Sequence, residues 1–112
     1  MIRGIFIFVL LFLIFFNNPV YSIQLKKESL ENYINKISIK FSRTYCNTIQ
    51  FGISEEGALA FSIGETIKEF KNNKLNSSID YYLLKNNIVN NLENKCQIFD
   101  FSLVKLDDLK FD

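Results

Sequence analysis

The sequence predicts an all-α protein: a small three-helix bundle with an irregular C-terminal strap, preceded by an N-terminal signal peptide. Three observations lead to this prediction. An apolar run follows a positively charged start, apolar residues then recur in steps of three and four along three segments, and the last residues lose that spacing. The 112 residues of the chain suffice for one domain.

Residues 1–22 contain the three parts of a secretory signal peptide in order. Arg3 supplies the positive start, residues 5–16 form an unbroken apolar run, and Ser22 is a small residue at the expected cleavage site. The apolar run is shorter than the roughly 20 residues that cross a bilayer. We therefore predict an exported domain at residues 23–112. The alternative is an uncleaved N-terminal helix that anchors the protein in a membrane.

The charge of the predicted mature domain is balanced. The chain carries 13 basic and 12 acidic side chains, and Arg3 is the one charged residue of the leader. A nucleic-acid-binding domain normally has a basic excess on one face, and an anionic membrane surface attracts the same feature. We therefore expect no nucleic acid among the partners, and membrane contact only through an uncleaved leader.

The first predicted helix runs from Leu30 to about Ile49. Its apolar face consists of Leu30, Tyr33, Ile34, Ile37, Phe41, Tyr45 and Ile49. Gly52 is placed to end this helix, since glycine adopts the left-handed conformation at low cost. Ser54 can then cap a second helix, in which Glu55 and Glu56 lie in the first turn.

The second and third helices are predicted from shorter patterns. The second has an apolar stripe and a side of small residues. The stripe is Leu59, Ile63, Ile67 and Phe70, and the small side is Gly57, Ala58, Ala60 and Gly64. Because small residues allow close approach, we expect that side to pack against another helix. The third helix is predicted from a cap at Ser77 or Ser78 to about Lys95, with Tyr81, Leu84, Ile88 and Leu92 on its apolar face.

The C-terminal segment has two patterns. Phe99, Phe101 and Leu103 alternate as in a strand, whereas Leu103, Leu106 and Leu109 have helical spacing. So many large apolar side chains are expected to be covered. We therefore predict a strap that packs across the bundle.

The two cysteines, Cys46 and Cys96, are predicted to form a disulfide. An even cysteine count in an exported chain favours a bridge, and helices one and three of an up-down-up bundle end on the same side. Closing a loop of about 50 residues adds roughly 4 kcal/mol of stability. The alternatives are buried free thiols or a redox pair, although the Cys-x-x-Cys spacing of redox proteins is absent.

Catalytic motifs are missing from the sequence. The chain has no histidine, and two cysteines cannot build a tetrahedral metal centre. Glu65 and Glu69 share a helical face, but nearby lysines favour a solvated surface over an acid and base pair. We expect a protein that is not an enzyme, with no catalytic residues, no metal and no cofactor.

The segment of residues 41–70 resembles small exported proteins of cyanobacteria, especially those of AT-rich marine forms. The similarity lies in Tyr45-Cys46-Asn47, Phe51-Gly52-Ile53-Ser54 and Gly64-Glu65-Thr66. The resemblance implies a location in the periplasm or the thylakoid lumen and brings no defined activity.

Aromatic residues outnumber what one narrow core stripe needs. We therefore expect Tyr45, Phe51, Phe61, Tyr81 and Tyr82 to form a candidate interaction surface. The predicted function is that of an exported, non-catalytic helical module that binds another protein in the periplasm, the thylakoid lumen or the extracellular space. The alternatives are a thiol redox protein that uses Cys46 and Cys96, and a membrane-anchored small subunit.

Overall fold

A computed structural model describes the backbone of residues 19–111 and the side chains of residues 28–111. The elements in chain order are α1 (Pro19–Gln50), α2 (Glu55–Phe70), a 3-10 helix (Lys74–Ser78), α3 (Tyr81–Cys96) and a second 3-10 helix (Leu103–Leu106). These residues form no strand, which confirms the all-α prediction. The predicted signal peptide falls largely on residues 1–18, which lie outside the described residues.

Helix α1 is the central element, because it packs against both α2 and α3. Its predicted apolar face is the core of the domain: Tyr33, Ile34, Ile37, Phe41 and Tyr45 are buried there. The helix begins at Pro19, earlier than the predicted start at Leu30. Proline is tolerated in the first turn of a helix, where its missing N–H has no intrahelical partner. The spacing of the apolar residues therefore predicted which part of α1 is buried. It did not predict the residue at which the helix begins.

Helix α2 contacts the bundle through small side chains. Ala58, Ser62 and Thr66, spaced four residues apart, are its fully buried residues. The predicted stripe of Leu59, Ile63, Ile67 and Phe70 is only partly buried and packs against the core from the side. Small residues along the contact line allow α1 and α2 to lie close together.

Two glycines of α2 do not have the predicted role. A Cβ added at Gly64 would meet no atom of another element within 4 Å, and one at Gly57 would meet only Ile53 and Ser54, which precede the same helix. Ala60 is exposed. The prediction that this small-residue side packs on another helix is therefore wrong except at Ala58. Ala60 and Gly64 are exposed, and Gly57 is half-buried beside the loop that precedes the helix.

Capping side chains determine where α2 and α3 begin. The Ser54 hydroxyl accepts a hydrogen bond from the N–H of Gly57 at 3.1 Å, as predicted. Helix α3 is capped by Asp80, whose carboxylate accepts from the N–H groups of Tyr82 and Leu83. Neither Ser77 nor Ser78 has the predicted role, because both lie within the first 3-10 helix.

The C-terminal segment packs on the bundle without forming a strand. Phe101, Leu106, Leu109 and Phe111 are buried, whereas Phe99 is exposed. The segment is fastened to α3 by polar contacts. Lys85 Nζ lies 2.8 Å from Asp107 Oδ1, and the Phe111 N–H donates to the Tyr81 hydroxyl at 3.2 Å. The spacing of Leu103 and Leu106 corresponds to the second 3-10 helix, and the spacing of Leu106 and Leu109 corresponds to the turn that follows it. The alternation of Phe99 and Phe101 corresponds to one exposed and one buried ring.

A disulfide joins Cys46 of α1 to Cys96, the last residue of α3, with the two Cα atoms 5.8 Å apart. The pairing confirms the prediction. Gln97 follows with a left-handed backbone, φ 58°, that turns the chain away from α3. Because the bridge connects the ends of two helices that pack on each other, it closes one end of the bundle.

Candidate interaction surface

An apolar groove of about 430 Å³ lies between α1 and α2. Its hydrophobic side chains come from the connecting loop and the first half of α2. Phe51 is 86% exposed, Phe61 is 52% exposed and Ile53 is 49% exposed. The loop holds Phe51 outward because α1 ends at Gln50 and Gly52 takes a positive φ of 86°. Three large apolar side chains beside one groove are typical of a surface that binds a partner.

The α1 side of the groove is polar. This side is lined by Lys40, Thr44, Asn47 and Thr48. Glu65 lines the opposite side, on α2. The Thr44 hydroxyl donates to the Lys40 carbonyl at 2.8 Å, and the Thr48 hydroxyl donates to the Thr44 carbonyl at 2.6 Å. Both hydroxyls are therefore held against their own helix. The Asn47 amide, the Lys40 ammonium and the Glu65 carboxylate remain as the groups of the groove that can orient a partner.

Lys40 also approaches α2 outside the groove. Its ammonium nitrogen lies 3.6 Å from a carboxylate oxygen of Glu69, and both side chains are partly exposed. An exposed ion pair of this kind contributes little to stability. The acidic pair Glu65 and Glu69 is thus divided, since Glu65 lines the groove and Glu69 faces Lys40.

The five predicted surface aromatics have different positions. Phe51 and Phe61 lie together at the groove, as expected of an interaction surface. Tyr82 is 72% exposed on α3 and does not line the groove. Tyr81 is partly buried under the C-terminal segment. Tyr45 is only 3% exposed and stacks on Phe41 in the core, so it does not belong to the surface.

The prediction named neither the polar residues of the groove nor Ile53, its third exposed apolar side chain. Ile53 follows Gly52 in the loop, between two helices whose apolar faces had already been assigned. Ile53 lies between a turn glycine and a capping serine, so it belongs to the apolar face of neither helix. A large apolar residue at such a position indicates an exposed side chain, and this was the observation that could have identified it.

The disulfide end of the domain has a second cavity, of about 390 Å³. Tyr45, Glu55, Asp100 and Lys105 are among its lining residues. Burial raises the pKa of the Tyr45 phenol above its ordinary value of 10.0, and the carboxylates of Glu55 and Asp100 raise it further. Both effects favour the neutral phenol, since each opposes a negative charge at this position.

The raised pKa of Tyr45 predicts a loss of stability at alkaline pH. The folded state holds the phenol proton more tightly than the unfolded state. The contribution of the protonated Tyr45 to the free energy of unfolding is therefore complete below pH 10 and decreases as the pH rises above it. We expect Tyr45→Phe to make the decline in unfolding free energy above pH 10 shallower, as measured by urea denaturation over a pH series. Tyr82→Phe, on an exposed ring, is the matched control and should leave the decline unchanged. An equal decline in both variants would contradict the assignment.

Among the residues that the structure describes, no three cysteine, aspartate or glutamate side chains are grouped so that they could hold a metal ion. In the same part of the chain, no helix is both long and apolar enough to span a bilayer.

These observations define a class of protein: a small helical domain, closed by one disulfide, with an exposed apolar groove. Comparison of the sequence with protein-family models and with curated proteins, and of the structure with solved structures, finds no match.

Proposed function

We propose that this protein is an exported, non-catalytic helical module that binds another protein through the groove between α1 and α2. The observation that carries the proposal is the exposure of Phe51, Ile53 and Phe61 at one groove. Burying one such side chain contributes about 1.5–3 kcal/mol. Three adjacent ones can therefore supply the central contacts of an interface.

The chemistry of the groove favours an amphipathic helix of the partner as the bound element. Such a helix could place apolar side chains against Phe51 and Phe61 and polar ones against Asn47 and Lys40. Lys40 and Glu65 carry opposite charges on facing helices, so they favour one orientation of a partner that has its own charges. The groove is thus suited to select both a partner and its direction.

The disulfide supports an extracytoplasmic location. Bridges of this kind form and persist in oxidising compartments such as the bacterial periplasm. The predicted leader and the resemblance of residues 41–70 to small exported cyanobacterial proteins favour the periplasm or the thylakoid lumen. The extracellular space and a retained membrane anchor remain the alternatives. The N-terminus of the protein from its own host distinguishes a retained anchor from a cleaved leader.

A redox role for Cys46 and Cys96 has weaker support. Cys46 is 7% exposed and belongs to the core cluster. A catalytic thiol must meet its substrate, and reactive cysteines are usually accessible and in electropositive surroundings. The bridge is therefore better explained as a structural one.

The test is site-specific photocrosslinking in the protein's own host. A benzophenone amino acid is placed at position 51, in the groove, and separately at positions 82 and 99, which are 72% and 73% exposed outside it. We expect an adduct of one defined mass from position 51 alone. Adding Phe61→Ser should weaken that adduct. Equal adducts from all three positions, or none from position 51, would contradict the proposal.

A further inference from the structure

The hydroxyl of Tyr45 is a polar group that the fold leaves without a partner. The residue is 3% exposed, and its ring packs against Phe41 and Phe101. The hydroxyls of Tyr33 and Tyr81 each form a hydrogen bond, whereas that of Tyr45 forms none with the described residues. Buried tyrosine hydroxyls normally have a partner. Because Tyr45 lines two cavities, its hydroxyl is an open hydrogen-bonding position at their common wall.

The two cavities adjoin at the disulfide end of the domain. The second cavity has a volume of about 390 Å³ and the smaller one about 190 Å³, and both are lined by Tyr45, Glu55 and Lys105. Apolar walls of the larger one include Ile98 and Phe101. Its volume lies within the range of about 300–1,000 Å³ that is usual for small-molecule sites. Apolar walls with a few polar positions are the usual composition of such a site.

Carboxylates outnumber cations around the two cavities. Glu55 and Asp100 line the larger one and Glu55 and Glu56 the smaller one, against the single ammonium of Lys105. None of the three carboxylates forms an ion pair within the described chain. The dipole of α2 accounts for Glu55 and Glu56 in its first turn, but not for Asp100, which follows α3. The excess of negative charge is therefore available to a cation from outside the domain.

The arrangement of these groups favours an organic cation over a metal ion. The three carboxylates are not grouped closely enough to hold a metal. A primary ammonium has three N–H donors, so it can donate to the Tyr45 oxygen and to a carboxylate at once. Burial raises the pKa of the Tyr45 phenol, and the carboxylates of Glu55 and Asp100 raise it further. The neutral phenol can accept from the ammonium and donate its own proton to a carboxylate.

We propose that the cavity at Tyr45 binds a small organic amine in its protonated form, with a primary ammonium group and an apolar body. The ammonium donates to the Tyr45 oxygen and is attracted by Glu55 and Asp100. The apolar body packs on Ile98 and Phe101. Each feature of the ligand thus corresponds to one feature of the cavity: the open hydroxyl, the excess of carboxylates and the apolar wall.

Lys105 is the one basic side chain of the site. Its ammonium lies 5.2 Å from the centre of the Phe101 ring and forms no ion pair within the described chain. It would bind the carboxylate of a zwitterion such as an amino acid, but it repels a cation. Removing the charge of Lys105 should therefore strengthen the binding of an amine and weaken the binding of a zwitterion.

The experiment is an NMR titration of the ¹⁵N-labelled, disulfide-intact protein with phenethylammonium chloride. We expect saturable shifts of the amide signals of Ser54, Gln97 and Ile98, which line the larger cavity. Trimethylphenethylammonium has the same body and charge but no N–H donor, and it should bind at least about tenfold more weakly. Phenylalanine adds a carboxylate to the same amine and should also bind more weakly.

Four variants test the assigned residues. Asp100→Asn should weaken the binding of phenethylammonium about tenfold. Asp108→Asn removes the same charge from an exposed position of the same segment, so it is the matched control and should leave the affinity unchanged. Tyr45→Phe keeps the buried ring and should weaken binding about threefold to tenfold. Lys105→Met should strengthen binding.

Several results would overturn the proposal. They are a lack of saturable binding, equal affinity for the trimethyl compound, equal effects of Asp100→Asn and Asp108→Asn, or weaker binding to Lys105→Met. Amide shifts centred on Phe51 and Phe61 would place the amine in the groove and would overturn it as well. The groove function is tested separately, because the adduct from position 51 forms in the absence of added amine.

Discussion

Replacing both bridged residues, Cys46→Ser together with Cys96→Ser, is expected to lower the free energy of unfolding by about 4 kcal/mol. The two cysteines are 50 residues apart in sequence, so the bridge removes a large amount of conformational freedom from the unfolded chain. In a domain of this size the loss corresponds to a fall in Tm of roughly 15–30 °C. Thermal unfolding followed by circular dichroism measures it.

The reductant control separates the bridge from the substitutions. Wild-type protein unfolded with excess dithiothreitol should match the double serine variant, while the variant itself should not respond to reductant. A wild-type Tm that does not change on reduction, with free thiols verified by mass, would show that the bridge contributes no stability.

Phe101→Ala is expected to cost about 3–5 kcal/mol, the usual cost of removing a buried phenylalanine. The Phe101 ring makes edge-on contacts with Phe41 and Tyr45 of α1, at centroid distances of 6.5 and 5.3 Å. The ammonium of Lys105 lies 5.2 Å from the centre of the same ring. Removing this side chain would leave a cavity between α1 and the C-terminal segment.

Phe99→Ala provides the matched control for Phe101. The two phenylalanines are two residues apart in one irregular segment, but Phe99 is exposed. Its replacement should change the free energy of unfolding by less than about 0.5 kcal/mol. Urea denaturation of both variants measures the difference. Equal effects would mean that the C-terminal segment does not pack through Phe101.

Much of the architecture follows from hydrophobic spacing. The three-residue and four-residue steps of the apolar side chains predicted the buried face of α1, and Ser54 predicted the start of α2. Because the same helices place Cys46 and Cys96 at one end of the bundle, the disulfide could be predicted as well.

The spacing did not predict which residues of α2 form the contact line. Ala58, Ser62 and Thr66 are buried because helices that pack closely need small side chains between their axes. Hydrophobicity alone ranks serine and threonine as surface residues. The burial of Ser62 therefore depends on the position of α1, a tertiary property.

The interaction surface was predictable only in part for a related reason. A count of aromatic residues indicated that some of them must be exposed. The count could not show which aromatic residues are exposed and which are buried. Tyr45 and Phe51 are six residues apart, yet Tyr45 lies inside α1's packed face and Phe51 lies just beyond the end of that helix. The end of α1 decides between burial and exposure, and helix ends are the least certain part of a sequence-based assignment.

The bridge between α1 and α3 also determines what limited proteolysis would produce. All of α2 and both of its exposed connections, residues 51–54 and 71–80, lie between the two cysteines. A protease that cuts once in either connection leaves two fragments joined through sulfur. The nicked protein gains only the mass of one water and stays a single covalent molecule until the disulfide is reduced. A cut after Cys96 instead releases the C-terminal segment, which contains the buried Phe101. The same protease can therefore leave the domain covalently assembled or remove part of its core. The side of Cys96 on which it cuts decides between these outcomes.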